Sequence, residues 1–313
     1  MAKKVQIGKT DLYVNPVGLG TNTVGGHNIF PEVDEETGKE VVRTALENGV
    51  NYLDTAFMYG MGRSEELIGE VIKERGNRSD LVIATKVSPK VQGNEVVHDN
   101  SPAFLKREAE KSLKRLGTDH IDLLYIHYPD QKTPEAEAVG ALQELKDEGK
   151  IRAIGISNFS PDQLREADKD GYVDVYQGEY NLLNRDAEET IFPYASENDM
   201  SYVPFFPLAS GLLTGKYDKD TKVSGFRESL PYFQGAAFEQ NVEKVENLRT
   251  IAEAKDTEIA NLVLAWYLTR DTVDTIIPGA KRKDQVLSNL KTLDINLSRE
   301  AIREIERIFQ SSK

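Results

Sequence analysis

Four side chains that can carry or hold a proton stand near the ends of short apolar runs in this chain. Asp54, Lys86 and His127 each close such a run or follow it directly, and Tyr59 lies five residues past Asp54. An acid, a phenol, an ammonium group and an imidazole can move protons to and from a substrate if one pocket holds all four. The residue types therefore predict an enzyme.

Reduction of a carbonyl compound is one reaction that such a set could support, because the developing alkoxide needs a proton donor. A free tyrosine, with a pKa of about 10, is a poor donor at neutral pH. An ammonium group about 4 Å away contributes roughly 4 kcal/mol at an effective dielectric constant of 20. That energy corresponds to about three pKa units before desolvation is counted. We therefore expect Lys86 to lower the pKa of Tyr59, Asp54 to hold Lys86 charged while cancelling part of its effect, and His127 to orient the substrate oxygen or share the proton.

The elements that must bring these residues together are eight apolar segments with the length of strands. They are 17–20, 51–54, 81–86, 121–127, 152–157, 173–177, 201–206 and 273–278. Most are continuous apolar runs, which is typical of parallel strands buried on both faces. Pro204 interrupts the seventh run and predicts a bulge or an early end of that strand.

Segments with apolar residues at helical spacing separate these runs. They are 35–48, 64–73, 102–116, 134–148, 161–168, 186–198, 240–254, 258–269 and 299–309, and another helical pattern follows 273–278. Segment 5–14, broken by Gly8-Lys9-Thr10-Asp11, predicts a small hairpin before the repeat. The alternation predicts a single α/β domain over residues 1–313, a (β/α)8 TIM barrel with an N-terminal hairpin and extra helices late in the chain. In such a barrel the carboxyl ends of the strands share one rim, where the four residues would meet.

Composition excludes several other classes of protein. The net charge of −13 argues against nucleic acid or an anionic membrane as a partner. The chain has no cysteine, which excludes thiolate catalysis and disulfides, and His27, His98 and His120 share no ligand spacing that would predict a metal site. Its start lacks the apolar stretch of a signal peptide, and no apolar run is long enough for a membrane span. We therefore expect a cytoplasmic protein that acts on a small molecule; the sequence leaves its oligomeric state open.

The segment after the eighth predicted strand carries the chain's only run of three basic residues, Lys281–Lys283. Basic side chains and free amides at the start of a helix form an anion site, and barrels often bind phosphate after strands seven and eight. A phosphorylated cofactor would suit this turn. A solvated basic turn with no ligand is the alternative.

Motifs distributed over nearly the whole chain resemble the aldo-keto reductase superfamily, and within it the bacterial IolS-like reductases. They are LDTAFMYG, GRSEELIGEV, VIATK, DLLYIHYPD, GISNFS, QGEYNLLNR, FFPLASGLLTGKY and IIPGAKR. By this resemblance, Tyr59 is the general acid, Lys86 and Asp54 tune it, and His127 helps to bind and polarise a carbonyl group. The resemblance implies an NADP-dependent reductase of aldehydes or ketones.

The resemblance also implies a set of residues that contact the cofactor. They are Thr21, Asn22, Asp54, Ser157, Asn158, Gln177, Phe206, Pro207, Leu208, Ala209, Ser210, Gly211, Leu212, Gly279, Ala280, Lys281, Arg282, Gln285 and Asn289. Phe206 would stack on the nicotinamide, and residues 207–212 would hold the pyrophosphate. Lys281 and Arg282 would grip a 2′-phosphate, so NADPH is favoured over NADH.

Other readings of the same residues stay open. Lys86 could act as the nucleophile of a Schiff-base lyase, although an ion pair with Asp54 would keep its amine protonated. The chain could also be a cofactor-sensing regulatory subunit, because channel-associated β subunits resemble this superfamily. Aromatic residues in the predicted rim loops could shape a substrate pocket; they are Phe30, Phe57, Tyr128, Phe226, Tyr232 and Phe233.

Overall fold

The structure is a computed structural model that describes residues 3–310, apart from the side chain of Phe226. The two ends of the predicted 1–313 domain and the predicted role of the Phe226 ring therefore lie outside the described residues.

Most of the strands lie close to the predicted apolar runs. They are β1 Val5–Gln6, β2 Tyr13–Val14, β3 Leu19–Gly20, β4 Tyr52–Asp54, β5 Val82–Val87, β6 Pro89–Gln92, β7 Glu95–His98, β8 Ile121–Ile126, β9 Ile151–Ser157, β10 Val175–Glu179 and β11 Ser201–Phe205. Strands β3, β4, β5, β8, β9, β10 and β11 pair in parallel, in chain order, in one seven-stranded sheet. The antiparallel β1–β2 hairpin confirms the predicted N-terminal hairpin.

Helices cover the outer face of this sheet. They are α1 Glu35–Glu47, α2 Arg63–Arg75, α3 Pro102–Leu116, α4 Glu135–Asp147, α5 Pro161–Ala167, α6 Ala187–Thr190, α7 Phe192–Glu197, α8 Gly235–Glu246, α9 Arg249–Ala254, α10 Ile259–Tyr267, α11 Lys283–Leu290 and α12 Arg299–Phe309. Two of the predicted helices, 186–198 and 240–254, are each replaced by a pair of shorter ones. Within residues 3–310, no helix is long and apolar enough to cross a membrane.

The sheet separates two apolar clusters, because successive side chains of a strand point to opposite faces. Residues such as Ile83, Leu124 and Ile154 pack outward, in one cluster with apolar residues of the helices. The alternate residues form an inner cluster, which also contains three residues of the β1–β2 hairpin and its turn. The inner cluster is Ile7, Leu12, Val14, Tyr52, Val82, Ala84, Leu123, Tyr125, Ala153, Val175, Val203 and Ile277.

The predicted eighth strand is the main difference between expectation and structure. Segment 273–278 forms no strand. It has one isolated bridge, Val17 with Ile276, and a second, Gly20 with Gly279, lies just past its end. The N–H groups of Gly18, Gly20 and Ile276 donate to the carbonyls of Ile276, Pro278 and Pro16. Beside it, the Thr272 carbonyl accepts one hydrogen bond from the Tyr202 N–H of β11, at 2.8 Å. Pro278 has no N–H to continue a ladder. The closed eight-stranded barrel is therefore confirmed in part, as a curled sheet of seven strands. Segment 272–279 lies between its two edges and makes three backbone hydrogen bonds on the β3 side but only one to β11.

Two further differences concern strands. Pro204 was predicted to produce a bulge or an early strand end, but β11 runs through it and pairs it with Gly178. Since β11 is the last strand of the sheet, its other edge needs few donors, and proline is tolerated there. The β6–β7 hairpin, which pairs 89–92 with 95–98, was not predicted.

Candidate active site

The carboxyl ends of the strands bring the predicted catalytic residues to one place. On β5, Val82 and Ala84 belong to the inner cluster. Lys86 is next on the same face and so points inside the sheet. The same alternation turns Asp54 and Ser157 inward from the ends of β4 and β9. It also turns Gln177 inward from the middle of β10 and His127 inward from the position after β8. The alternation of apolar residues along the strands thus positions the site.

A cleft of about 850 Å³ opens above these residues. Most of the predicted site residues line it: Asn22, Asp54, Tyr59, His127, Ser157, Asn158, Gln177, Phe206, Pro207, Leu208, Ser210, Gly211, Gly279, Ala280, Lys281, Arg282 and Gln285. Of the predicted rim aromatics, Phe30 and Tyr128 also line it.

Five predicted site residues do not line the cleft. Lys86 is fully buried beneath it. The Thr21 hydroxyl is buried and donates to the Asp54 carbonyl at 3.0 Å, so it supports the end of β4. The Ala209 and Leu212 side chains are buried in the apolar core, and Asn289, on α11, is half-buried outside the cleft wall.

Asp54 is the centre of a buried hydrogen-bond network. Its Oδ1 accepts from Lys86 Nζ at 2.5 Å, and its Oδ2 accepts from Gln177 Nε2 at 2.9 Å. Lys86 Nζ also donates to the Thr55 carbonyl at 2.8 Å. Burial lowers the pKa of Lys86, and the Asp54 carboxylate opposes that effect. The ion pair that the sequence predicted is therefore present, and it has a third partner in Gln177.

Tyr59 lies directly beside this pair, with Lys86 Nζ 5.3 Å from the centroid of its ring. Burial raises the pKa of Tyr59, and the Asp54 carboxylate raises it further. The predicted lowering by Lys86 is therefore wrong for the resting protein. The reason is that the ammonium charge is already matched by the adjacent carboxylate, while the phenol is desolvated. Tyr59 accordingly keeps its proton at neutral pH and is available as a donor.

His127 is neutral in this environment. Burial lowers the pKa of His127 well below its usual value, and the nearby charge of Lys86 acts in the same direction. A neutral imidazole can donate one hydrogen bond but has no second proton to give. This state favours the first of its two predicted roles, orientation of a substrate oxygen.

Asn28 fixes the turn that carries Tyr59. Its Nδ2 donates to the Met58 carbonyl at 3.0 Å, and its Oδ1 accepts from the Gly60 N–H at 2.7 Å. The peptides on both sides of Tyr59 are thus held by one side chain. Gly60 has a φ of +67°, and a Cβ there would lie 1.9 Å from the Gly25 carbonyl oxygen, so only glycine fits. Nothing in the sequence singled out Asn28.

Basic side chains line one part of the cleft in this acidic chain. Lys216 and Arg227 join the predicted Lys281 and Arg282 in its wall. Burial lowers the pKa of Lys216, and the charges of Arg227 and Lys281 add to that effect. Lys216 is the next-to-last residue of one of the quoted motifs and could have been noticed there, whereas Arg227 carried no sequence signal.

The loop that follows β11 completes this wall with an unusual backbone. Phe206, Ala209 and Ser210 have φ values of +51°, +45° and +55°, which side-chain-bearing residues rarely adopt. Arg227 Nε donates to the Ser210 carbonyl at 2.8 Å and holds this loop in place. Such strain persists only where the surroundings enforce it, and it is concentrated at functional sites.

Two amides of the predicted cofactor-contact set already have partners. Gln177 donates to Asp54, and Asn158 Nδ2 donates to the His127 carbonyl at 3.1 Å and to Ser157 Oγ at 2.9 Å. Their side-chain nitrogen atoms thus hold other residues of the site in place. Across residues 3–310, no group of three or more His, Cys, Asp or Glu residues could hold a metal ion.

Known proteins resemble this chain over almost its full length. A sequence model described as the Aldo/keto reductase family matches residues 16–310. Aldo-keto reductase YhdN of Bacillus subtilis (strain 168) is 34% identical, over 98% of this chain and 93% of its own length. NADH-specific methylglyoxal reductase of Escherichia coli (strain K12) is 33% identical, over 95% of each chain.

A relative of a different kind is also similar. The probable voltage-gated potassium channel subunit beta of Arabidopsis thaliana is 34% identical, over 97% of this chain and 96% of its own. Among solved structures, the glycerol dehydrogenase AKR11B4 from Gluconobacter oxydans superposes with a TM-score of 0.89 at 33% identity, and the match covers 97% of this chain and 94% of that one.

Proposed function

The chain belongs to the aldo/keto reductase family, and from that premise we propose that it is an NADPH-dependent reductase of aldehydes or ketones. The observation that carries the proposal is the juxtaposition of Tyr59, Asp54 and His127 in one cleft, directly above Lys86. The proposal includes one barrel domain over the whole chain, in which segment 272–279 takes the place of an eighth strand. Membership of the IolS-like subgroup stays a prediction from the motifs.

The cleft fits a dinucleotide cofactor in size and in charge. Its volume of about 850 Å³ suits a long ligand, and its cationic part would attract phosphate groups. Lys281 and Arg282 would hold a 2′-phosphate, while Lys216, Arg227 and the 207–212 loop would hold the pyrophosphate. Ser157 and Phe206 would face the nicotinamide. When bound, a reduced nicotinamide supplies the hydride.

The protein's own residues would then manage the proton. Tyr59 has its proton at neutral pH, since burial keeps the phenol uncharged. His127 would donate a hydrogen bond to the carbonyl oxygen and so place it beside the phenol. An alkoxide is a stronger base than a phenolate, so Tyr59 can protonate it even with a raised pKa. Lys86 would stabilise the negative charge that Tyr59 acquires in that step, and Asp54 would hold Lys86 in position.

The choice of NADPH over NADH is the finer part of the proposal. The basic residues Lys281 and Arg282 support NADPH, because their positive charges would attract the negative charge of a 2′-phosphate, which NADH lacks. One relative is named as NADH-specific, so the two cofactors must be compared directly.

A second candidate, a regulatory subunit with little turnover, is favoured by the relative named as a probable channel β subunit. It predicts tight cofactor binding without reduction of any carbonyl compound. The Schiff-base alternative is weaker, because the Lys86 amine is buried, paired with Asp54 and absent from the cleft wall. It predicts that borohydride traps a carbonyl compound on Lys86.

The proposal is tested by following oxidation of NADPH and of NADH with a panel of aldehydes, ketones and dicarbonyl compounds. We expect turnover with several substrates and a lower KM for NADPH. Saturable cofactor binding without turnover of any substrate would favour the regulatory subunit. Mass-spectrometric detection of a borohydride adduct on Lys86 would favour the lyase.

A further inference from the structure

The imidazole of His127 lacks the hydrogen bond that usually fixes the ring of a functional histidine. A functional histidine usually fixes its ring with a hydrogen bond from the nitrogen that faces away from the ligand. Here Nδ1 of His127 is buried, and none of the described residues donates to it or accepts from it. The orientation of this ring must therefore come from packing.

The packing partner is the next residue in the chain. The rings of His127 and Tyr128 are stacked, with centroids 4.6 Å apart and planes inclined by 26°. Tyr128 in turn packs on His98 of β7, with centroids 4.8 Å apart and planes at 35°. The three rings form a column that runs from the β6–β7 hairpin to the wall of the cleft.

The hairpin also holds the backbone at the middle of this column. The Tyr128 carbonyl accepts from Ser88 Oγ at 3.0 Å and from Asn100 Nδ2 at 2.9 Å, and these two residues flank the hairpin. The Asn100 N–H donates to Asp130 Oδ2 at 2.8 Å, which ties the same segment to the loop after His127. Ser88 has a φ of +120°, a strained value for a residue with a side chain, and its Oγ is bonded at the same time.

We propose that His98 and Tyr128 are positioning residues, which set the plane of the His127 imidazole by stacking and so connect the β6–β7 hairpin to the chemistry of the cleft. The inference rests on the proposed function, in which His127 orients the substrate oxygen. His98 itself does not line the cleft, so a change there acts on the reaction only through Tyr128 and His127.

The test compares His98→Ala, which removes the end of the column, with His98→Phe, which keeps a ring of similar shape. We expect His98→Ala to lower kcat about tenfold or more, because a small misplacement of a catalytic group is expensive. The KM for the cofactor should stay within about twofold, since His98 does not line the cleft in which the cofactor would lie. His98→Phe should restore most of kcat. Val96→Ser, an exposed change on the same hairpin, is the matched control and should leave kcat unchanged.

A spectroscopic readout tests the stack without any turnover. The chain contains only 4 histidines, so the His127 ring signal in a histidine-labelled NMR sample can be assigned by its loss in His127→Asn. Tyr128→Leu defines the position of that signal when the stacking ring is absent. We expect His98→Ala to move the signal toward that position, and His98→Phe to leave it near that of the wild type.

Equal loss of kcat in His98→Phe and His98→Ala would assign the effect to the His98 nitrogen atoms and overturn the stacking proposal. An unmoved His127 signal in His98→Ala would overturn it as well, and this holds whether or not the protein reduces carbonyl compounds. Absence of turnover in every variant, with the expected shifts, would instead overturn the proposed function alone. If His98→Ala does not fold, His98→Leu, which keeps the apolar bulk without the ring, takes its place.

Discussion

Lys86 Nζ lies 2.5 Å from Asp54 Oδ1, and the two side chains are only 0% and 1% exposed. A buried ion pair of this kind gains much less stability than its Coulomb energy suggests, because both charges lose their hydration. Breaking the pair on one side is expensive, however, because it leaves an unmatched buried charge. The pair is thus better explained by a need for charge at the base of the cleft than by a need for stability.

The first prediction concerns this pair. Asp54→Asn and Lys86→Met should each lower the free energy of unfolding by about 3–5 kcal/mol, because each leaves one buried charge alone. The double variant should lose less than the sum, by about 1–3 kcal/mol. Urea unfolding of the four proteins measures the cycle. The exposed pair Lys219–Glu243 is the control, and its cycle should give about 0–1 kcal/mol. If the double variant instead lost the full sum of the two single losses in unfolding free energy, Asp54 and Lys86 would contribute to stability independently of each other.

The second prediction concerns the turn that carries Tyr59. Asn28→Ala removes both hydrogen bonds to the peptides that flank Tyr59, so we expect kcat to fall about tenfold to a hundredfold with little change in cofactor affinity. Asn28→Asp keeps the acceptor for the Gly60 N–H and should lose less. Steady-state kinetics and fluorescence titration of NADPH measure the two effects. Glu32→Gln, an exposed change in the same loop, is the control. An unchanged kcat in Asn28→Ala would show that the turn is held without this side chain.

The third prediction assigns different roles in cofactor binding to the three basic residues Lys281–Lys283. Lys281 and Arg282 line the cleft, whereas Lys283 does not and pairs with Glu40 at 2.9 Å. Loss of a charged hydrogen bond costs about 1.5–3 kcal/mol, so Lys281→Met or Arg282→Met should raise the Kd for NADPH about tenfold to a hundredfold. The Kd for NADH should change little, and Lys283→Met should change neither. Equal effects on both cofactors would place the 2′-phosphate elsewhere.

The fourth prediction uses the direction of the His127 pKa shift. The folded protein holds His127 neutral, while the unfolded chain binds a proton at this residue below a pH of about 6.5. The contribution of this group to stability is therefore fully present above pH 6.5 and is lost as the pH falls below it, with a slope that approaches about 1.4 kcal/mol per pH unit. His127→Asn should flatten the pH dependence of the unfolding free energy between pH 5 and 6.5 by about that amount. Tyr59→Phe, which leaves His127 in place, should keep the wild-type slope.

Much of the site could be predicted because one rule positions it. Side chains alternate along each strand, so the apolar run before Lys86 determines the face from which Lys86 points. The same rule applies to Asp54 and His127. The parallel order of the strands then brings their ends to one rim, although these residues are far apart in the sequence.

The parts that escaped prediction depend on contacts without periodicity. Asn28 lies in a loop and Arg227 in a short 3-10 helix, and only the folded chain reveals that they hold the Tyr59 turn and the Ser210 loop. The eighth strand was predicted from apolar residues, but a strand also needs hydrogen bonds to a neighbour along its length, and this segment bonds to β11 only at Thr272. The direction of the Tyr59 pKa shift was wrong because the sequence gives no measure of burial, and burial raises the pKa of Tyr59, with the Asp54 carboxylate acting in the same direction.

The central claim is that Tyr59 supplies the proton, and comparison of Tyr59→Phe with the wild type tests it most directly. The measurement is the single-turnover rate of NADPH oxidation with a good substrate, together with the Kd for NADPH. Removal of one hydroxyl should lower the rate about 10²- to 10⁴-fold, which is the usual contribution of a general acid, while the Kd and the melting temperature stay unchanged. If the Tyr59→Phe rate lies within about threefold of the wild-type rate, the loss is far smaller than the usual contribution of a general acid. That result would contradict the account.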